Sequence, residues 1–261
     1  MIVSQGAIHT PKLLMQSGIG DEEHLKQFGI PVVAHLPGVG RNYQDHVVTH
    51  CIWEFRESVP PGSNLGVAML FGKSDPALDT PDLQICAVAV PFANAQIADR
   101  VDFPQHGWTA CAGVVRPNSR GRVFLTGPDP LDPVKIHHNM LADPADIKAA
   151  VAAVELAREV AASEPVNALV KRAVAPGDLE GDDLIRYIRD AAEIFWHSTC
   201  TAKMGRDAMS VVDNNLKVYG LERLRIADGS VMPRITTGNT MAPCMVIGER
   251  AAELVKTQHG L

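Results

Sequence analysis

Apolar positions change their period several times along the chain, and each change marks an element. Ile2-Val3 begins as a short strand that runs into Gly6-Ala7-Ile8-His9. Thr10 before Pro11 supplies an N-cap and a first helical residue, so a short helix is expected through Lys12-Leu13-Leu14-Met15. Gly18-Ile19-Gly20 stops it. Asp21–Phe28 reads as a second small helix and Gly29–Val33 as a short β segment. From about Val47 to Ile136 the pattern is β, broken by turns. The candidate strands there are Gln84–Phe92, Trp108–Val115 and Arg122–Thr126. The polar, turn-rich Arg116-Pro117-Asn118-Ser119-Arg120-Gly121 suits a hairpin between the last two. Asp143-Pro144 opens a long helix to about Ala162, with Ile147, Val151, Val154 and Ala161 as its apolar stripe. Asp182–Ala192 and Met241–Val255 read as further helices. There is no internal repeat.

Composition narrows the class. The 261 residues carry a net charge of −6, with 46% hydrophobic and 21% charged residues, which suits one large globular domain or two small ones. No apolar run approaches the ~18 residues of a membrane span. A mildly acidic chain without a Lys/Arg cluster is not expected to grip nucleic acid. Five dispersed cysteines with no C-x-x-C pair argue against a zinc finger or a disulfide framework. A reducing, cytoplasmic location is expected. The first residues lack the basic and apolar regions of a signal peptide, and Ile2-Val3-Ser4 reads like the middle of a strand.

Three places are dense in chemistry. Gly6 to Gly20 combines glycines with a capped helix start, the pattern of backbone brought close to a ligand or of a plain strand–turn–helix connector. Trp196-His197-Ser198-Thr199-Cys200 sets a histidine among small hydroxyl residues, as a general base or as a hydrogen-bonded core histidine. No G-x-S-x-G elbow accompanies Ser198, which leaves a serine hydrolase without its turn. Ile226-Ala227-Asp228-Gly229-Ser230, followed by Gly238-Asn239-Thr240-Met241, ends a strand in polar side chains and then starts a helix whose N–H groups can face an anion or be capped locally. His137-His138 is adjacent on a candidate strand with no carboxylate at ligand spacing, so a surface pair is expected and no metal site.

Taken in order, these segments resemble the glucose–methanol–choline (GMC) flavoprotein oxidoreductases. Gly6–Gly20 is similar to the family's second signature, and Leu36–His46 (LPGVGRNYQDH) to the loop that follows it. Arg116–Gly121 resembles the approach to a substrate-domain strand, and His197–Gly205 the catalytic-histidine motif. Asp228–Pro233 with Gly238–Arg250 resembles the C-terminal flavin-contacting strand and helix.

The resemblance implies FAD-dependent oxidation of an alcohol CH–OH group to a carbonyl. His197 would be the base and Asn239 the second catalytic residue. Asp228, Gly229, Asn239, Thr240 and Met241 would contact FAD, and the substrate would be a small-molecule alcohol. The fold expected is α+β, an antiparallel substrate-domain sheet with helices plus an incomplete FAD-binding domain. Residues 1–46 and 193–261 would belong to the FAD domain, and 47–192 would bind substrate. The Arg116–Thr126 and Pro130–Arg158 regions lean towards choline-dehydrogenase-like members and leave the substrate open, and 5% aromatic residues give a cationic substrate little cation–π support.

The family's N-terminal G-x-G-x-x-G and its downstream acidic residue are missing from this sequence. The chain therefore corresponds to a C-terminal half, expected to hold FAD weakly or not at all unless an N-terminal FAD-binding half partners it. Segments 1–40 and 196–261 are then expected to leave apolar faces exposed. The alternative is a catalytically inactive remnant that serves as a binding or interaction module.

Overall fold

The computed structural model describes residues 1–59 and 66–260. In chain order the elements are β1 Ile2–Val3, α1 Gly6–Gln16, β2 Ile19–Gly20, α2 Glu22–Gln27, β3 Ala34–His35, β4 Val47–Phe55, β5 Gly66–Gly72, β6 Leu83–Val88, α3 Ala95–Ala98 and β7 Gly107–Val114. There follow β8 Arg122–Leu125, β9 Val134–His137, α4 Pro144–Ala162, α5 Val166–Leu169, β10 Val170–Ala175, α6 Gly181–Ala191, β11 Glu193–Ile194, β12 Arg225–Ile226 and α7 Met241–His259. Among the described residues, no helix is long and apolar enough to cross a membrane.

The chain divides into two compact units. One comprises residues 46–119 and 140–195, and the other residues 1–45, 120–139 and 196–261. The first is built on an antiparallel sheet ordered β10-β4-β7-β6-β5, with β11 also paired to β4. Strands β4 and β7 sit at its centre, which is why β7 is buried at every position. Ala149, Ala150, Ala153, Val154 and Ala157 of α4 join the core formed by Ile52, Ile85, Ala110 and Ala112. Small side chains let that helix lie close to the strands. Asp143 caps α4 by accepting the Ala145 N–H at 2.8 Å, and Pro144 sits at its first turn, as the sequence pattern predicts.

The hairpin expected across residues 116–121 does not form. Strand β7 pairs with β4 and β6, whereas β8 pairs with β9 in a separate ribbon. The polar stretch between them is held in two directions. The buried Asp146 carboxylate accepts the Asn118 and Ser119 N–H groups at 2.7 and 2.8 Å, while Gly121 bridges to Tyr43.

The second unit gathers three two-stranded pairs, β1-β12 and β2-β3 (both parallel) and β8-β9, around Leu14, Met15, Leu25, Val212 and Ile226. Two local expectations are corrected. The β segment lies at Ala34–His35, because Pro31 has no N–H to donate and Val33 is 64% exposed. Helix α1 begins at Gly6, four residues before the predicted cap at Thr10. Thr10 Oγ1 instead accepts the Gln5 N–H and donates to Asp228. Pro11, inside the helix, cannot pair with the Ala7 carbonyl, and the Thr201 hydroxyl donates to that oxygen at 2.6 Å. His137 is exposed as expected, whereas His138 is half-buried with its ring edge-on to Tyr43 at 5.2 Å. Among the described residues, no group of three or more His, Cys, Asp or Glu side chains could hold a metal ion.

Gly40 fixes the course of this unit. Its φ is +77°, its N–H donates to the Thr201 carbonyl, and its own carbonyl accepts the Val123 N–H. A Cβ there would stand 2.5 Å from the Val123 carbonyl oxygen. Gly40→Ala is therefore expected to cost about 2 kcal/mol or more from the left-handed backbone and the contact together. Thermal unfolding should show a Tm lowered by roughly 5 °C, and an unchanged Tm would contradict this reading of the turn.

Candidate active site

Three stretches of the second unit converge through backbone pairing. Gln44 exchanges N–H···O bonds with Thr199 in both directions, at 3.2 and 2.9 Å. Cys200, Ala202 and Met204 donate to the carbonyls of Gly229, Ser230 and Val231. The Gln44 side chain then accepts the Ile235 N–H at 3.1 Å, which directs residues 236–240 back towards His197. Trp196 and Cys200, at φ of +55° and +76°, bracket the histidine.

The outcome is a pair of side chains 42 residues apart in sequence. His197 Nε2 lies 3.2 Å from Asn239 Nδ2. An amide nitrogen only donates, so this contact leaves the imidazole lone pair on Nε2 and the ring proton on Nδ1. That tautomer can accept a proton at Nε2. Burial holds the His197 pKa below its ordinary value, while the Asp45 charge acts in the opposite direction. Asp45 is itself buried and raised by that burial. Its Oδ1 accepts the His197 backbone N–H at 2.9 Å, and its Oδ2 accepts the hydroxyls of Ser198 at 3.0 Å and Tyr43 at 3.1 Å.

The other predicted residues lie along the same path. Asp228 accepts the Gly6 N–H and the Thr10 hydroxyl on Oδ2, and the Ser230 N–H on Oδ1. It thereby staples the start of α1 to the turn that Gly229 enters. Gly229 is packed tightly, with room for a Cβ only 3.2 Å from Cys244 Sγ. Thr240 is the N-cap of α7 without a side-chain cap, and Met241, the first helical residue, is 73% exposed. The structure thus brings His197 to Asn239, with Thr240 and Met241 following Asn239 in sequence, while Asp228 is engaged by protein groups. Asp45 and Tyr43 lie within the Leu36–His46 stretch that resembles a family loop, but that resemblance gives them no role, and their part in the site comes from contacts with a distant segment.

FAD can be tested against this donor set. The start of α7 has no acidic residue in its first turn, so the positive end of its dipole is uncompensated. That suits a flavin ring edge, which gains negative charge on reduction. A pyrophosphate is served differently. At Gly18, Gly38 and Gly40 a Cβ would meet the carbonyl oxygens of Pro31, Met209 and Val123. Acceptors crowd these glycines, whereas a phosphate cradle needs N–H donors. The α7 start suits the ring end of FAD, and Gly18, Gly38 and Gly40 offer its phosphates no cradle.

Comparison with known proteins adds the family context. The family model described as GMC oxidoreductase matches in two parts, the N-terminal part over residues 1–48 and the C-terminal part over residues 117–248. The chain is 34% identical to an alcohol dehydrogenase [acceptor] of Pseudomonas putida, across 98% of its own length and 50% of that protein. It is 34% identical to the mitochondrial choline dehydrogenase of Homo sapiens, across 100% of its length and 48% of that protein. Among solved structures, pyridoxine 4-oxidase from Mesorbium loti superposes with a TM-score of 0.90 at 27% identity, covering 97% of this chain and 50% of that one. The chain spans about half the length of the curated relatives it matches.

Proposed function

The chain belongs to the GMC oxidoreductase family, and on that premise we propose that it carries the proton-handling end of an FAD-dependent site oxidising an alcohol to a carbonyl. The observation that carries this reading is the approach of His197 Nε2 to Asn239 Nδ2. FAD, when bound, supplies the two-electron acceptor for the carbinol hydride. His197 accepts the hydroxyl proton at Nε2 and becomes imidazolium. Asn239 turns its amide N–H towards the oxygen as negative charge develops there. Thr240 and Met241, at the α7 start, would hold the cofactor through their backbone groups. The substrate is a small-molecule alcohol, and a further FAD-binding half holds the phosphates.

This assignment sets a sign for pH. His197 must be neutral to accept a proton, and burial lowers its pKa from the usual 6.5. The rate of flavin reduction by alcohol is therefore expected to be level above that range and to fall as pH drops, with a midpoint below 6.5. A pH–rate profile of the flavin-loaded protein checks this. A midpoint above the ordinary histidine value, or no acid limb, would remove His197 from the role.

A further inference from the structure

We propose that Asp45 is the positioning residue of this site, its carboxylate clamping the His197 loop through the His197 backbone N–H and the Ser198 and Tyr43 hydroxyls. The inference rests on the reading of His197 as the base, but its geometry stands apart from any cofactor. Asp45 is only 4% exposed. A buried carboxylate is costly unless donors surround it, and three do so here at 2.9–3.1 Å. Tyr43 Oη and Ser198 Oγ also lie 2.9 Å apart, which closes a small network beneath the loop.

The loop needs such a clamp. Trp196 and Cys200 both hold positive φ without being glycine. Each such residue costs on the order of 1 kcal/mol and persists only where its surroundings over-determine it. The carboxylate grips His197, one of the residues between them, by its backbone N–H, while the ring meets Asn239. The same negative charge favours imidazolium, the form His197 takes after accepting a proton. Asp45 thus does two things to His197 without touching the reacting atoms: it fixes where the ring starts from, and it supports the charge the ring acquires. Tyr43, His138 and His197 are titratable groups that face it within this unit.

The test is an NMR titration of the full chain, which needs neither FAD nor alcohol. The His197 imidazole signals are assigned by their loss in His197→Gln. In Asp45→Asn an oxygen still accepts the His197 N–H, but the charge is gone, so the His197 midpoint should fall by about one unit. Asp45→Ala should also release the N–H, and its exchange with solvent should quicken by about tenfold or more. In the unaltered chain the Asp45 carboxyl carbon should report the titration of His197. A flat carboxyl trace, or a His197 midpoint unmoved in a folded Asp45→Asn, overturns the proposal. If His197→Ala leaves flavin reduction intact while the Asp45 shift is seen, the base assignment fails and the clamp remains.

Discussion

Replacing His197 by alanine is expected to slow alcohol-dependent reduction of bound flavin by about 10²- to 10⁴-fold, the usual contribution of a positioned general base. The substitution should spare the fold. Asp45 holds this loop by the His197 backbone N–H, which alanine keeps, and the Gln44–Thr199 pairing involves no His197 side-chain atom. The side chain itself is only half-buried, so little apolar area is lost. Stopped-flow reduction of the flavin-loaded variant, beside a thermal melt, separates the chemical loss from instability. A variant that reduces flavin as fast as the parent would show that the 3.2 Å approach to Asn239 has no part in proton transfer.

The second large effect concerns the cofactor. The 261-residue chain incubated with FAD and then desalted is expected to be colourless. FAD carries its negative charge on the pyrophosphate, and dinucleotide sites meet it with a glycine-rich turn and a helix N-terminus. This sequence offers two G-x-G stretches, at residues 18–20 and 38–40, but carbonyl oxygens press against Gly18, Gly38 and Gly40. A phosphate placed there would face acceptors. The uncapped start of α7 serves only the ring. On the same helix Met241, Met245 and Val246 are 73%, 58% and 66% exposed, apolar surface of the kind a further FAD-binding half would cover. Co-expression with such a half should bring colour. Stoichiometric flavin retained by the desalted chain alone would mean that a phosphate site exists outside these glycines.

Elements with strong local punctuation were legible in the sequence. Asp143-Pro144 marks the start of α4, and Asp21 caps α2 through the His24 N–H at 3.0 Å. Helix α7 also begins at Met241 as expected, running one turn further to a left-handed Gly260. Elements defined by distant partners were not legible. Strand β4 is buried along most of its length, on both faces, so it shows no alternation to mark its register. Strands β8 and β9 pair across an eight-residue gap, against the turn-rich signal that favoured β7 and β8. Thr10 beside Pro11 looks like a cap, yet its hydroxyl is claimed by Asp228, 218 residues away. In the site, His197 and Asn239 stood out through the family pattern, and only the fold shows that they meet. Asp45 lies in the family-like loop Leu36–His46, yet its role was not legible there, because that role comes from burial and from donors on two separate segments.

The most direct test of the central claim is anaerobic addition of primary alcohols to the flavin-loaded protein while its visible flavin absorbance is followed. Bleaching, with one carbonyl formed per flavin reduced, is the result predicted for an alcohol-oxidising site. An oxidised spectrum that stays unchanged across a panel of alcohols, with FAD demonstrably bound, would contradict it.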